Sequence, residues 1–507
     1  MHDTHSQRPT SGDSALWMSV GSSTSACATS AIALALFLAA AMPVSAETIN
    51  EALAHAYQSS SKLDAARATL RATDEEVARA NSGYRPVITG TADTGYQDST
   101  SKPAIALTNG ETHPRGYGVQ AVQPLFRGGR VLNTVRGAEA TVRAGREILR
   151  GVEQQVLLDS STSYLDVIRD LAIVRLRENN VRILTEDLKQ TRERFAVGEV
   201  TRTDVAQSEA NLAAARSALD LARSNLQTSR ANYERNIGNA PGSMVEPRPI
   251  DRLLPKTLDE AVSISSRENP TVVNALYNEQ AARHAVDTIW GELLPSAQLT
   301  ASYNKRFDPS VSTAETDTKS IVGSITVPLY SGGEVQARVR QAKQTHISRI
   351  QQIEQARTEV KALVATAWAT LVASRAQLVS DNAQVAAAQT ALNGVREEER
   401  VGQRTLLDVL NAEQVLLNAQ VAVVTDRHNI GVATYTVMST VGRLNIQELA
   451  VVDTVYDPEQ HYHEIRRQWW GVSITRADGR VETHDFWETH GEKYKAHEDA
   501  ATWKPLK

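Results

Sequence analysis

The side chains best placed for chemistry are the charged residues of two similar turns. Arg194 to Glu209 and Arg400 to Glu413 align at a shift of 204 residues, which sets Val197, Gly198, Asp204, Val205 and Glu209 on Val401, Gly402, Asp408, Val409 and Glu413. In each copy a glycine ends a long apolar-periodic segment. An aspartate then stands early in the next segment, facing the positive end of a helix dipole. Asp204 opens one returning helix and Arg404 lies just before Asp408 in the other turn, so Asp204 and Arg404 can bring opposite charges together between neighbouring hairpins. At a solvated surface such a pair is weak, and its chemistry is electrostatic rather than bond-making. The chain carries no phosphate loop, nucleophile elbow or recognisable metal-ligand spacing, so no enzyme and no cofactor is expected. His461, His463 and Glu464 are candidate metal ligands, but a third partner at metal-site spacing is missing and histidines in a polar tail are expected to be solvated. The single cysteine, Cys27, precedes the first strongly apolar run and leaves the body of the chain without disulfides.

The elements that carry these turns are duplicated. Pro124, Leu125, Gly128, Gly129 and Val131 fall on Pro328, Leu329, Gly332, Gly333 and Val335 at the same shift, so the 507 residues hold one body built of two repeats. Proline-free segments run over 129–197 and 333–401 and reach roughly 100 Å each as helices. Helices over 203–237 and 406–442 return from the turns. Val360, Val364, Ala367, Leu371, Ser374, Leu378, Asp381, Val385, Ala388, Leu392 and Val395 alternate spacings of four and three, which is a coiled-coil seam. The returning helices continue it with large and small residues in turn.

Each long helix is preceded by a helical pattern, over 48–83 and 258–291, and a strand hairpin, over 85–126 and 294–330. Ala297, Leu299, Ala301 and Tyr303 alternate with polar residues, and Ile321, Gly323, Ile325, Val327 and Leu329 line the returning strand. The first copy is weaker, with Ile88, Gly90 and Ala92 going out and Tyr117, Val119, Ala121 and Leu125 coming back. Dual-faced segments of this length match transmembrane barrel strands. The polar stretches from Gln97 to Pro114 and from Lys305 to Thr318 read as loops. Four strands cannot close a barrel, so closure must come from further copies of the chain.

The ends and the middle read differently. Residues 1–46 have an apolar run from Ala31 to Ala41 and small residues at Val44, Ser45 and Ala46, as in a cleaved signal peptide. An N-terminal anchor helix is the alternative, and Met18 is an alternative start. No other stretch reads as a membrane helix. The first repeat spans 47–245 and the second 258–453, joined by a proline-rich strap at 246–257. Residues 454–507 form a polar extension with a strand element expected around Trp470 to Trp487. With 22% charged residues, 5% aromatics and net charge -5, nothing marks a nucleic-acid surface.

Two repeats of helix, strand hairpin, P-L-[FY]-x-G-G, long helix, V-G turn and D-V-x-x-A/S-E helix resemble the TolC-type outer-membrane channels of efflux and type I secretion. The likeness covers Glu47 to Asp453. It implies a mainly α fold with a small β part: a homotrimer with a periplasmic α-barrel and a twelve-stranded transmembrane β-barrel. It also implies an outer-membrane location reaching into the periplasm of a Gram-negative cell, and a periplasmic adaptor with an inner-membrane RND or ABC pump as partners. The implied function is a passive exit duct for drugs, small molecules or secreted proteins; a structural or adhesive surface coiled coil is the alternative. By the same resemblance Thr203, Asp204, Arg404 and Asp408 are gate residues, and the turns Val197, Gly198, Glu199 and Val401, Gly402, Gln403 meet the adaptor. Asn411 stands where a second acidic ring is found in the family, and Glu399 where a tyrosine is common.

Overall fold

The computed structural model describes residues 47–101, 108–247, 250–449, 452, 455–475 and 481–482; the signal peptide expected over 1–46 lies outside them. The first repeat opens with α1 (Ile49–Ser59) and α2 (Ser61–Asn81), where the sequence pattern predicts a single helix. The chain breaks at Ser60, which turns extended and whose hydroxyl accepts the Leu63 N–H, giving α2 its own cap. Strands β1 (Val87–Thr94), β2 (Gln97–Ser101), β3 (Thr108–Thr112) and β4 (Arg115–Arg127) follow. After them α3 (Arg130–Ala196) runs for 67 residues and α4 (Arg202–Ile237) for 36.

The second repeat copies this order. Helices α5 (Leu258–Glu268) and α6 (Pro270–Trp290) part at Asn269, whose side chain caps Thr271 while Pro270 takes the first helical position. Strands β5 (Ser296–Ser310) and β6 (Thr313–Thr326) lead to α7 (Glu334–Arg400) and α8 (Leu406–Val441), again 67 and 36 residues long. Gly128 and Gly129 show why glycines stand between strand and helix. Both have positive φ, and a Cβ on Gly128 would lie 2.1 Å from the Gly291 carbonyl oxygen.

The two hairpins are not separate, as the sequence suggests, but pair into one antiparallel sheet of order β1-β4-β5-β6. Its register aligns Ile88, Ala121, Ala301 and Ile321 in one cross-strand row. Thr89, Gln120, Ser302 and Ser320 form a row on the other face, where the two serine hydroxyls are 2.8 Å apart. A bulge between Pro124 and Phe126 takes Leu125 out of the ladder, so Phe126 rather than Leu125 joins the apolar face opposite Ala297. The expected polar loops are largely strand. Lys305 to Phe307 pair with Asp317 to Glu315, and β2 pairs with β3 as a ribbon beyond the main sheet. Cross-strand charge pairs such as Lys305 with Glu315 hold a polar sequence extended.

Seam positions behave as the heptad pattern requires. Val360, Val364, Ala367, Leu371, Ser374, Ala388 and Leu392 are buried against α8, which buries Val409, Leu416, Ala419, Val423, Asp426, Ala433 and Val437. Asp381 and Asp426 meet within this seam, and burial first, then Asp381, pushes the Asp426 carboxyl above the usual carboxylate range. One 18-residue window of α7 is apolar enough to cross a bilayer, contrary to the sequence expectation. The same helix packs on α8 along the seam through Val364 and Leu371, and a long coiled-coil helix reaches this length and composition without a membrane around it.

Where the repeats meet, α1, the middle of α3 and the end of α4 share one apolar core around Leu53, Leu157, Tyr164 and Tyr233. The strap after α4 is tied to it. Tyr164 donates its hydroxyl towards the Glu47 and Val245 carbonyls at 2.9 and 2.7 Å, and Glu47 bridges to Met244. Beyond residue 455 come a short helix, α9 (Gln460–Ile465), and a minimal strand pair, β7 (Ile474–Thr475) with β8 (Val481–Glu482), inside the expected strand region. His461 is not solvated as expected: its side chain is 14% exposed and sits 3.1 Å from Asp74. Among the described residues no cluster of three metal-ligating side chains occurs.

Tyr164→Phe removes the hydroxyl donor from the Val245 carbonyl, a loss worth about 1–3 kcal/mol when the group stays buried, while the Glu47 carbonyl keeps the Val245 N–H at 3.3 Å. The expected outcome is faster proteolytic cleavage within the strap at 238–257, with the helical content by circular dichroism unchanged. Cleavage at the wild-type rate would show that the strap is held by other contacts.

Candidate gate at the helix turns

Both turns have the same backbone. Gly198 and Gly402 take φ of 77° and 79°, and the N–H groups of Glu199 and Gln403 return to the carbonyls of Arg194 and Glu398. Thr201 and Thr405 then cap α4 and α8 in reciprocal boxes. The Asp204 carboxylate accepts from the Thr201 backbone N–H and hydroxyl, each at 2.8 Å, and Asp408 does the same with Thr405 at 3.0 and 2.8 Å. Hydrogen bonds from Thr405, with a smaller contribution from Arg404, hold the Asp408 carboxyl below the usual carboxylate range. Each aspartate therefore has a local task as a helix cap before any other role.

Within the chain, Arg404 is not joined to Asp204. Its guanidinium donates to Glu398 at 2.9 Å, and that contact raises its already high pKa further. The link between the two hairpins is made by Glu399 instead, which accepts from Arg194 at 2.8 Å; Arg194 also reaches Glu199 at 3.3 Å. Thr203 and Asn411 are exposed. The exposed tips, Val197 at 79% and Val401 at 69%, stand beyond all of these contacts.

Sequence reasoning placed the turns and missed the pairings behind them. Arg192 bonds Glu209 at 2.6 Å, and its duplicate Arg396 bonds Glu413. This repeated rung was visible in the 204-residue shift, because both acids lie in the aligned motif. Behind it, Leu406 and Leu410 of α8 enter the first hairpin beside Leu184, Leu188, Leu212 and Ala215. Asp187 of α3 lies at this junction. Burial first, then the Glu413 charge, pushes its carboxyl up to about 6, against an opposing pull from Arg396. Further along the molecule, Arg375 reaches Asp251 at 2.7 Å and His428 reaches Asp166 at 2.8 Å, tying the second hairpin to the strap and to α3.

The sign of the Asp187 shift sets a pH dependence. A carboxyl with ordinary value 3.8 that titrates near 6 in place favours the packed junction while it holds its proton. The junction therefore loses stability as pH rises from the ordinary carboxylate range to about 6, and changes little above that. Hydrogen exchange in the first turns of α8, corrected for intrinsic rates, should show stronger protection at about pH 4.5 than at about pH 7. Asp187→Asn should remove most of that difference. An unchanged difference in the variant would assign the titration to another group.

Comparison with known proteins agrees with this architecture. The family model described as Outer membrane efflux protein matches residues 52–239 and 262–443, one segment in each repeat. The chain is 36% identical over 437 residues to the outer membrane efflux protein BepC of Brucella suis, covering 86% of this chain and 93% of that one. It is 26% identical over 324 residues to the outer membrane protein TolC of Escherichia coli, covering 59% and 64%. Among solved structures, the Campylobacter jejuni CmeC outer membrane channel superposes with a TM-score of 0.70 at 17% identity, over 83% of this chain and 89% of that chain. The duplicated hairpins, the dual-faced sheet and the match in both repeats make this chain a member of the outer membrane efflux protein family, an exit channel of the outer membrane that extends into the periplasm.

Proposed function

We propose that three copies of the chain close into one tube that conducts cargo passively from an inner-membrane pump to the cell exterior. The observation that carries this is the sheet. It exposes Ile88, Ile321 and Ile325 at 70, 77 and 76% along one face. Its outer strands β1 and β6 pair on one side only. Unpaired edges are not tolerated in lipid, and three four-stranded sheets joined edge to edge remove them in a barrel of twelve strands. Helices of 67 residues reach roughly 100 Å below it, a length suited to crossing a periplasm.

The exposed turns Val197–Gly198–Glu199 and Val401–Gly402–Gln403 are the docking points for a periplasmic adaptor, whose pump is of the RND or ABC type. The pump selects the cargo, whether drugs and other small molecules or secreted proteins. Thr203, Asp204, Glu399, Arg404, Asp408 and Asn411 form the gate. Its resting link within the chain is Arg194 with Glu399, and Arg404 is turned towards Glu398 but near enough to the tip to meet a neighbouring copy. Threefold repetition lets weak surface pairs act together.

Cross-linking of outer-membrane fractions should yield heat-modifiable trimers; monomers alone would overturn the proposed closure. In planar bilayers, Glu399→Gln and Arg404→Ser should each raise single-channel conductance. Asp408→Ala should mainly lower cation preference, since a ring of three carboxylates is lost. Asn411 supplies no charge, so block by multivalent cations rests on the Asp408 ring alone. Conductance and selectivity unchanged in all three variants would place the constriction elsewhere.

A further inference from the structure

The C-terminal extension is docked in order along α1, α2 and the neighbouring part of α3, towards the start of the sheet. Tyr456 receives its first contact from Tyr57, whose hydroxyl accepts the Tyr456 N–H at 3.1 Å. The Arg67 guanidinium lies over both rings, 4.7 Å from Tyr57 and 5.1 Å from Tyr456. One step further, His461 meets the fully buried Asp74. From α3, Arg146 bonds Glu459, and Glu139 accepts from Tyr462 and Arg466 at 3.3 and 3.2 Å. Ile465, 5% exposed, closes this docked stretch on its apolar side. Asn81 at the end of α2 then donates to the Arg466 carbonyl. Last, Arg85 stacks 4.8 Å from the Trp469 ring, two residues before β1 begins at Val87.

The partners thus run from Tyr57 at the end of α1, along α2 through Arg67, Asp74 and Asn81, to Arg85 beyond it, and end where the chain enters the lipid-facing sheet. There the tail leaves large apolar side chains in the open: Trp469 at 69%, Trp470 at 93% and Val472 at 68%. They share this level with exposed aromatics at the roots of the strands, among them Tyr84 before β1, Phe126 at the end of β4 and Tyr330 after β6. Tryptophan concentrates where an apolar ring can enter lipid while its N–H keeps a polar partner, which is the boundary between headgroups and hydrocarbon. Arg467, also exposed, stands beside the pair with a charge suited to phosphate.

We propose that residues 456–475 are a membrane-surface anchor, in which the tail pinned along α2 delivers Trp469 and Trp470 to the phospholipid interface of the periplasmic leaflet of the outer membrane. The docked helix α9 supplies the position, so the indoles reach the lipid without a further ordering cost. The anchor adds to the barrel a contact outside it, at the junction between the sheet and the helices. It rests on the outer-membrane location of the family and not on the gate described above.

The test uses the full-length protein with Cys27→Ser, reconstituted in phospholipid nanodiscs, with a spin label at Trp470→Cys or, as control, at the exposed His463→Cys. The label at 470 should be relaxed several-fold more effectively by oxygen than by a water-soluble nickel chelate, and the label at 463 should show the reverse. Equal access of the chelate to both labels would place the tail in water and overturn the anchor. Protection of 470 from both reagents would mean that protein covers it, such as a neighbouring subunit, and would overturn it too. Trp470→Ser, which leaves the Arg85–Trp469 stack in place, should lower the thermal stability of the assembly in nanodiscs by more than in detergent micelles; equal loss in both would indicate a packing role instead and overturn the anchor.

Discussion

The structure depends on one constraint, that a backbone polar group facing hydrocarbon must find its partner inside the protein. The four strands satisfy it internally and leave it open at β1 and β6, while their register sets Ile88, Ala121, Ala301, Ile321 and Ile325 on one face and most of the polar side chains on the other. Everything below the sheet follows from how those strands are fed. Each begins or ends at a helix terminus, and the double glycines turn the chain sharply enough for a 67-residue helix to continue each hairpin. The close approach of Gly128 to Gly291 locks the two repeats together at that level, because no side chain fits between them.

Much of this was legible in the sequence because the chain was duplicated. A single V-G turn or a single alternating strand carries little information, whereas the same residues at a constant shift fixed the ends of the long helices to within a residue of their observed caps. The breaks at Ser60 and Asn269 were less legible. Pro270 marks the second one, but Ser60 has no such signal, since serine is an ordinary helix residue until its hydroxyl finds the Leu63 amide. Strand length also escaped the pattern. Beyond the lipid zone the strands continue through polar residues, where cross-strand pairing rather than alternation holds them.

The pairings of the candidate gate were legible only in part. Asp204 and Asp408 announce themselves as caps three residues after a threonine. That Glu399 finds Arg194 depends on how two hairpins lie side by side, which no local pattern encodes. The same holds for the tail, where His461 looked like a solvated histidine and instead faces a buried aspartate on a helix nearly 400 positions earlier in the chain.

The duplication also explains why the two turns differ in charge while sharing a backbone. At the shift of 204, Arg194 falls on Glu398 and Phe195 on Glu399, so the first hairpin presents a base where the second presents two acids. Identical hairpins would set like charges against each other wherever they met. Inverting the charge in one copy lets Arg194 serve Glu399 between hairpins, while Glu398 at the end of α7 draws Arg404 back onto its own hairpin. Packing beneath the charges is shared by both hairpins through Leu406 and Leu410, and it includes one carboxyl, Asp187, that resists ionisation. The apolar contacts hold the second hairpin against the first, and the half-buried Asp187 with its neighbour Glu413 opposes them.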